Sequence, residues 1–197
     1  SAFVRSPPAM MYTDPILSER AYAFLADLVY RRSHIRLGTD KQAFVAGRLA
    51  SRLRQIGCPT YEDYCSLLES ASADEEAEQL VDLVSTNHTH FFREPDHFEF
   101  LARDLLPAAA RQAMADSRPF RVWCAAAASG EEAYSLAIVL AEFERLHQGP
   151  HWTLEASDIS RRMLTRCRQG IYEADRVRML DPTWLSRYFR RGFGERE

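Results

Sequence analysis

Between Pro119 and Ser135 an apolar run, Phe120 to Ala125, passes into small residues and then into the start of a helix. The run predicts a buried parallel strand. Ala125–Ala128, Ser129 and Gly130 carry almost no side chain, so a ligand can approach the backbone closely. A helix is predicted to open at Gly130–Glu132, with Ser129 as its N-cap and Glu131 and Glu132 in the first turn, where acids favour the helix dipole. Strand, small-residue turn and helix together form the nucleotide-binding corner of a doubly wound sheet. The glycine fingerprint Gly-x-Gly-x-x-Gly is absent, and the two acids would repel a pyrophosphate placed there. The corner therefore suits a nucleoside that bears a cation, such as S-adenosylmethionine, better than NAD or ATP. On residues alone, an ordinary strand–helix turn fits the same pattern.

A second strand is predicted over Trp152 to Ala156, ending at Ser157-Asp158. An acid at this position, 28 residues past Gly130, is where a doubly wound fold places its ribose partner. The same aspartate could instead cap the Ser160–Gln169 helix. Upstream, His97 to Ala113 has the periodicity of one amphipathic helix, and Gly149-Pro150 marks a turn.

The first part of the chain has a different character. Residues 1–16 hold Pro7, Pro8 and Pro15 without periodicity and read as a flexible leader. Residues 17–84 read as a helical module. Leu17 to Arg31 carries Leu17, Ala21, Leu25 and Leu28 at helical spacing. Lys41 to Gln55 carries Val45, Leu49, Leu53 and Ile56 and stops at Gly57. Thr60 to Leu68 opens with a capping-box-like Thr60-Tyr-Glu-Asp, and Asp74 to Leu83 follows. Residues 30–56 hold seven Lys and Arg against one acid, whereas residues 60–80 hold seven acids and no Lys or Arg. That division predicts a basic and an acidic face on one module. Arg48 and Arg52, four apart, are placed on one face of their helix. Residues 85–118 then link this module to an α/β domain at 119–197.

Three stretches carry a family likeness. Thr86-Asn-His-Thr-His-Phe-Phe-Arg-Glu94 resembles the Thr-Asn-x-Thr-x-Phe-Phe-Arg-Glu signature of the CheR family, the chemotaxis receptor methyltransferases. Trp123 to Ser135 is similar to the family pattern Trp-x-Ala-Ala-Ala-x-x-Gly-Glu-Glu-x-Tyr-Ser, and Ala156-Ser-Asp-Ile159 to a third. The resemblance runs from about Leu17 to the end of the chain. It implies an all-α N-terminal module followed by a Rossmann-like, class I methyltransferase domain, here its first half. It implies methyl transfer from S-adenosylmethionine to glutamate carboxylates of chemoreceptors, with S-adenosylhomocysteine as product.

Carried over residue by residue, the likeness places Asn87, Thr89 and Arg93 at the donor and Asp158 at its ribose; Ala126 and Ile159 are placed there with them, and Glu132 is assigned to the donor's amino end because it is oppositely charged and starts the helix. Arg93 is also implicated at the transfer site, its guanidinium held partly out of water. Glu131 is the alternative to Glu132 and a possible partner for Arg93. Without the likeness, Arg93 reads as a helix-end salt bridge to Glu94. Arg48, Arg52 and Arg54 match positions that touch the cytoplasmic helical region of methyl-accepting receptors; a solvated basic face is the plainer reading. Phe91 and Phe92 read as core anchors, and Gly170-Ile-Tyr172 and Leu185 to Phe189 as structural, with an aromatic near the adenosine.

Departures are small within the matched region: Ala133 stands where proline is usual, Ser129 where threonine is, and His88 and His90 fill variable positions. The family continues past the segment matching Tyr188–Gly194 with a β-subdomain, a Cys-Arg-Asn strand and a tyrosine. Two strands alone leave an open apolar edge, so the chain reads as a fragment or as one of two edge-pairing copies. The alternative function is accordingly a non-catalytic donor-binding or receptor-docking piece. A dinucleotide-dependent oxidoreductase on a similar corner is disfavoured by the missing glycines and the acid pair.

Composition agrees with these expectations. Of 197 residues 46% are hydrophobic and 27% charged, with a net charge of −3. That balance, without basic residues interleaved with aromatics, disfavours nucleic acid. No run approaches membrane-span length and the start lacks a signal-peptide layout, so a cytoplasmic protein without membrane insertion is expected. The four cysteines are scattered and read as reduced thiols. The histidines show no ligand spacing, so no metal is expected.

Overall fold

The structure, a computed structural model, describes residues 15–70, 73–147 and 151–192. The expected leader, apart from its last two residues, and the Gly149-Pro150 turn lie outside the described residues. The chain divides into two units, Ser1–Ser85 and Thr86–Glu197.

The first unit is all helical: α1 (Glu19–Ser33), α2 (Gln42–Ile56), α3 (Tyr61–Leu68) and α4 (Asp74–Val84). Local chemistry sets the ends. The Ser18 hydroxyl accepts from the Ala21 N–H, so α1 starts two residues later than its apolar stripe suggests. Gly57 stops α2 at φ 73, and the Thr60 hydroxyl caps α3 by accepting from the Asp63 N–H. The stripe residues Leu25, Val45, Leu49 and Leu53 are buried together with Val29, Tyr61, Tyr64 and Leu80. Each fully buried Leu or Val contributes roughly 1.5–3 kcal/mol.

Two ion pairs join the basic block to the acidic one. Arg32 pairs with Asp74 at 2.6 Å, and Arg52 pairs with Glu76. Arg52 Nε donates to Glu76 Oε1 at 3.0 Å, and the Tyr64 hydroxyl donates to the same oxygen at 2.8 Å. Burial works against ionisation of Glu76, but the hydrogen bonds from Arg52 and Tyr64 hold its carboxyl below the usual range. Arg52 is therefore turned inward while Arg48 is exposed, its guanidinium 5.1 Å from the Phe44 ring centre.

In the second unit a helix begins at Pro95, not at His97. It runs as α5 (Pro95–Phe100), a π turn (Leu101–Leu105) and α6 (Leu106–Ala115), where one uninterrupted helix to Ala113 was expected. Pro107 explains the interruption. It has no N–H to donate one turn back, and the Leu106 N–H reaches instead to the Leu101 carbonyl five residues earlier. Strand β1 (Phe120–Ala125) then pairs in parallel with β2 (Trp152–Ser157), Phe120 opposite Trp152, and α7 (Glu131–His147) makes the crossover. Helices α8 (Arg161–Gln169), α9 (Ala174–Val177) and α10 (Pro182–Tyr188) complete the described chain.

The strand pair is not buried on both faces, contrary to the sequence reading. Phe120, Val122, Cys124, Trp152 and Leu154 pack against helix residues such as Phe98, Leu106, Leu136 and Leu140. The other face is wet: Trp123 is 70% exposed and donates through Nε1 to Ser157 Oγ, and Arg121 pairs with Glu155. An apolar run marks strand propensity but does not say how many faces are covered.

Phe91 and Phe92 are core anchors. Phe91 packs edge-on to Tyr172 and Phe189, and Phe92 lies between Phe98 and Trp184. All four cysteines are free thiols. Among the described residues no helix is long and apolar enough to cross a membrane.

Glu142 ties α7 to α10. Its carboxylate accepts from Arg145, Arg187 and the Tyr188 hydroxyl. The Arg145 hydrogen bond, helped by Tyr188 and Arg187 and opposed by burial, holds its carboxyl down at about 2, against an ordinary 4.5. The folded state thus binds this proton less tightly than the unfolded chain. The stabilisation is complete above about pH 4.5 and is lost as pH falls through about 2. Glu142→Gln is expected to cost about 1 kcal/mol at neutral pH, the low end because both arginines are roughly half exposed. Acid melts of the two proteins should converge near pH 2; curves that stay parallel down to that pH contradict the assignment.

Candidate functional site

The site is built on the bend that follows β1. Ala126 (φ 60), Ala128 (φ 47) and Gly130 (φ 103) all take left-handed backbone conformations. For each alanine this costs roughly 1–2 kcal/mol, so the surroundings must impose it. They do so through hydrogen bonds. The Ala127 N–H donates to the Ser157 carbonyl at 2.9 Å, and the Ala128 N–H donates to Asp158 Oδ2 at 2.7 Å. The Gly130 N–H closes onto the Ala127 carbonyl, and the Tyr172 hydroxyl donates to the Ser129 carbonyl at 2.8 Å. Asp158 uses its other oxygen to accept from the Ser160 N–H at 2.8 Å. It therefore clips the ends of both strands together. The α8 cap is Ser160, whose hydroxyl accepts from the Met163 N–H, and not Asp158.

Gly130, not Ser129, precedes the first helical residue of α7, since its carbonyl accepts from the Tyr134 N–H. The Ser129 hydroxyl instead donates to Glu131 Oε2 at 2.6 Å. The two acids of the first turn have opposite fates. Glu131 is 1% exposed and pairs with Arg176, so it is not the partner of Arg93. Glu132 is exposed, with the Cys124 thiol 3.9 Å from its Oε1. Burial, then the Glu132 charge, pushes that thiol up to about 12.

The loop carrying Asn87, Thr89 and Arg93 is bonded onto α7. The Phe92 N–H donates to Ser135 Oγ at 2.9 Å, and that hydroxyl in turn donates to the Glu131 carbonyl at 2.7 Å. Arg93 is exposed, contrary to the expectation of a guanidinium partly out of water, and its Nη1 donates to the His88 carbonyl at 2.9 Å. Glu94 lies 3.4 Å from His97 rather than on Arg93.

Arg93, Glu94, His97, Phe98, Glu132 and Leu136 line one cleft of about 410 Å³. The structure thus brings Arg93 and Glu132 together, and separately joins the Ala126–Ala128 bend to Asp158. The first turn of α7 connects the two groups. Ile159 stands beside Asp158 with about half of its surface, 49%, exposed. Asn87 is half-buried and Thr89 buried, and neither is among the residues lining the cleft. Arg48, Arg52 and Arg54 belong to the helical unit, where Arg48 and Arg54 are exposed. A larger cavity of about 1020 Å³, among α7, the end of α8 and α10, is lined by Gly170, Ile171, Tyr172, Leu185, Tyr188 and Phe189, which the sequence reading took as structural with an aromatic near the adenosine, but by none of the residues carried over to the donor. Volume alone is a poor guide here, because the smaller cleft holds charges of both signs, Arg93 and Glu132, that can orient a ligand.

Sequence reasoning missed Ser135, Cys124 and Arg176, and it read Tyr172 as structural without naming its contact. The partners of Ser135, Tyr172 and Arg176 lie 43 to 45 positions away, and no local pattern encodes such pairings.

Residues 87–197 match the family model described as CheR methyltransferase, SAM binding domain, and residues 20–85 match CheR methyltransferase, all-alpha domain. The chain is 38% identical over 181 residues to the chemotaxis protein methyltransferase of Salmonella typhimurium, covering 92% of this chain and 60% of that one. The Escherichia coli chemotaxis protein methyltransferase matches equally, at 38% over 181 residues, 92% of this chain and 60% of the relative. The Borreliella burgdorferi protein of the same description is 35% identical over 156 residues, 78% of this chain and 55% of the relative. The chain therefore spans about 60% of the length of the first of these relatives.

Proposed function

Because the chain belongs to the CheR methyltransferase family, we propose that it forms the donor-binding part of an enzyme that methylates glutamate side chains of chemotaxis receptors in the cytoplasm. The observation that carries this reading is a cleft lined by both Arg93 and Glu132, with its loop bonded to α7 through Phe92 and Ser135.

The residues fit S-adenosylmethionine. The bend presents the exposed small residues Ala125 and Ala126, which let a nucleoside lie close to the backbone. Asp158 spends one lone pair of each oxygen on backbone N–H groups and keeps others for ribose hydroxyls. Ile159 offers an aliphatic surface to the base. The exposed Glu132 carboxylate matches the cationic amino end of the donor; half-buried Asn87 is the loop residue left to reach the donor, whereas Thr89 is buried.

When bound, S-adenosylmethionine supplies an electrophilic methyl group on a sulfonium. The acceptor carboxylate is already ionised at neutral pH, so the protein needs no strong general base. Its task is to hold acceptor oxygen, methyl carbon and sulfur in line while excluding water. Arg93, with donors left after its bond to His88, orients the incoming carboxylate on the acceptor side. Arg48 and Arg54 dock on the acidic receptor helices. Arg52, held by Glu76, stiffens that surface more than it contacts the partner.

Calorimetry with S-adenosylhomocysteine, paired with a methyl-transfer assay on receptor-containing membranes, tests the proposal. Glu132→Gln is expected to weaken product binding about threefold to fivefold, the loss of one solvent-accessible charge pair. Binding without transfer favours a non-catalytic donor-binding piece. Failure of the chain to bind at all removes the donor-site reading.

A further inference from the structure

We propose that Arg176 is a positioning residue of the donor site, acting through the buried Glu131 carboxylate on the turn Ser129–Glu132. The inference rests on the reading of that turn as donor-binding, and its test has one arm that does not depend on that reading.

Glu131 is among the largest fully buried side chains, at 1% exposure, yet it carries a carboxylate. A carboxylate that deep is tolerated only where it is paired and hydrogen-bonded. One partner, the Ser129 hydroxyl, belongs to the same turn and moves with it. The other is the Arg176 guanidinium, which comes from α9, 45 positions along the chain, with Nη2 at 2.9 Å from Oε1. Arg176 is thus the charge that anchors the turn to the rest of the unit.

The anchoring reaches the site by two routes, one covalent and one hydrogen-bonded. Glu132, which lines the cleft, is the next residue. The Glu131 carbonyl accepts from the Ser135 hydroxyl, which itself accepts from the Phe92 N–H beside Arg93. The Ser129 carbonyl accepts from Tyr172, four residues before Arg176, so one short segment holds the turn from behind at two points. Neither Arg176 nor the buried Glu131 carboxylate has a part in holding the donor or the acceptor directly. The arginine side chain is itself 46% exposed and α9 buries no residue, so removing the guanidinium opens no core cavity. What it leaves is an uncompensated buried charge, which draws the turn outward toward water.

Hydrogen exchange on the 197-residue chain reads this directly. The amide of Gly130 is hydrogen-bonded within the bend, and those of Ala127 and Ala128 to the Ser157 carbonyl and the Asp158 carboxylate. In Arg176→Met, exchange over residues 126–135 is expected to accelerate about tenfold or more as local opening becomes easier, with the helical unit unchanged. Arg176→Lys, which keeps the charge but not the fork, is expected to fall between. The double variant Glu131→Gln with Arg176→Met removes the stranded charge and is expected to regain most of the lost protection. S-adenosylhomocysteine affinity is expected to follow the same order, falling about tenfold in Arg176→Met and recovering in the double variant.

Unchanged exchange in Arg176→Met overturns the proposal whatever binds at the site. Faster exchange with no recovery in the double variant also overturns it, since the Glu131 charge is then not the lever. Faster exchange with undiminished affinity for S-adenosylhomocysteine overturns the link to the donor. Should Arg176→Met lose its helical circular dichroism, the Lys variant carries the comparison, and wild-type exchange there overturns the proposal.

Discussion

Gly130→Ala is expected to destabilise the α/β unit by roughly 3 kcal/mol, from backbone strain and overpacking together, and to abolish donor binding. Gly130 has φ 103, which an L side chain rarely adopts. A Cβ there would also lie 2.7 Å from the Tyr172 hydroxyl, 2.8 Å from Cys167 Sγ and 3.1 Å from Cys167 Cα. The last is backbone of α8 and cannot swing aside. The Tyr172 hydroxyl can move only by giving up the Ser129 carbonyl. Relief of the clash therefore displaces either α8 or the turn that carries Glu131 and Glu132. Gly47 is the control: a Cβ there meets nothing within 4 Å, inside the regular helix α2. Gly47→Ala should be neutral or stabilise by about 0.5–1 kcal/mol. Thermal melts of the two variants check the contrast. A Gly130→Ala protein that melts with the wild type and still binds S-adenosylhomocysteine would show that the bend is not held as described.

The elements of this chain were legible where their signals are local. The stripes at Leu25, Val45, Leu49 and Leu53 gave the helices of the first unit, and Gly57 and Thr60 gave two of their ends, because caps and periodicity act within one or two turns. The strand–turn–helix corner was equally readable from Phe120 to Glu132. Pro107 escaped notice as a breaker because its neighbours keep helical periodicity, and a π turn absorbs its missing N–H without ending the helix. The wet face of β1 was not readable at all, since Trp123 looks like any core aromatic until the packing around it is known. Charge was read least well. Arg52 looks like Arg48 in sequence, but Glu76 and Tyr64 pull it inward. Glu131 and Glu132 are adjacent and identical, and what separates them is Arg176, far along the chain. Isolated side chains could be nominated for the site, but its second layer consists of pairings that only the folded chain discloses.

Arg93→Ala is expected to lower methyl transfer about 10²- to 10³-fold, the usual loss when one preorganised charged donor is removed, while donor affinity changes by less than about threefold. The division follows from where the side chain stands. Arg93 is exposed, so its loss leaves no cavity and should leave the melting curve unchanged. Its guanidinium is fixed at one end by the His88 carbonyl, and its backbone N–H reaches the His90 carbonyl. The adjoining Phe92 is locked by Phe98 and Trp184 and by its N–H bond to Ser135. An exposed arginine on so constrained a backbone is poised to meet a partner from solution. A cation beside a sulfonium would be repelled, whereas a carboxylate arriving at the same cleft is drawn to it. Arg93→Lys keeps the charge but loses the planar fork that grips both carboxylate oxygens. It should therefore fall between wild type and alanine, with the larger part of its deficit in kcat if alignment is what was lost. Parallel loss of donor affinity and transfer in Arg93→Ala would place the side chain on the donor instead. Undiminished transfer would remove it from the mechanism and leave Glu132, on the other contribution to the same cleft, without its acceptor-side counterpart.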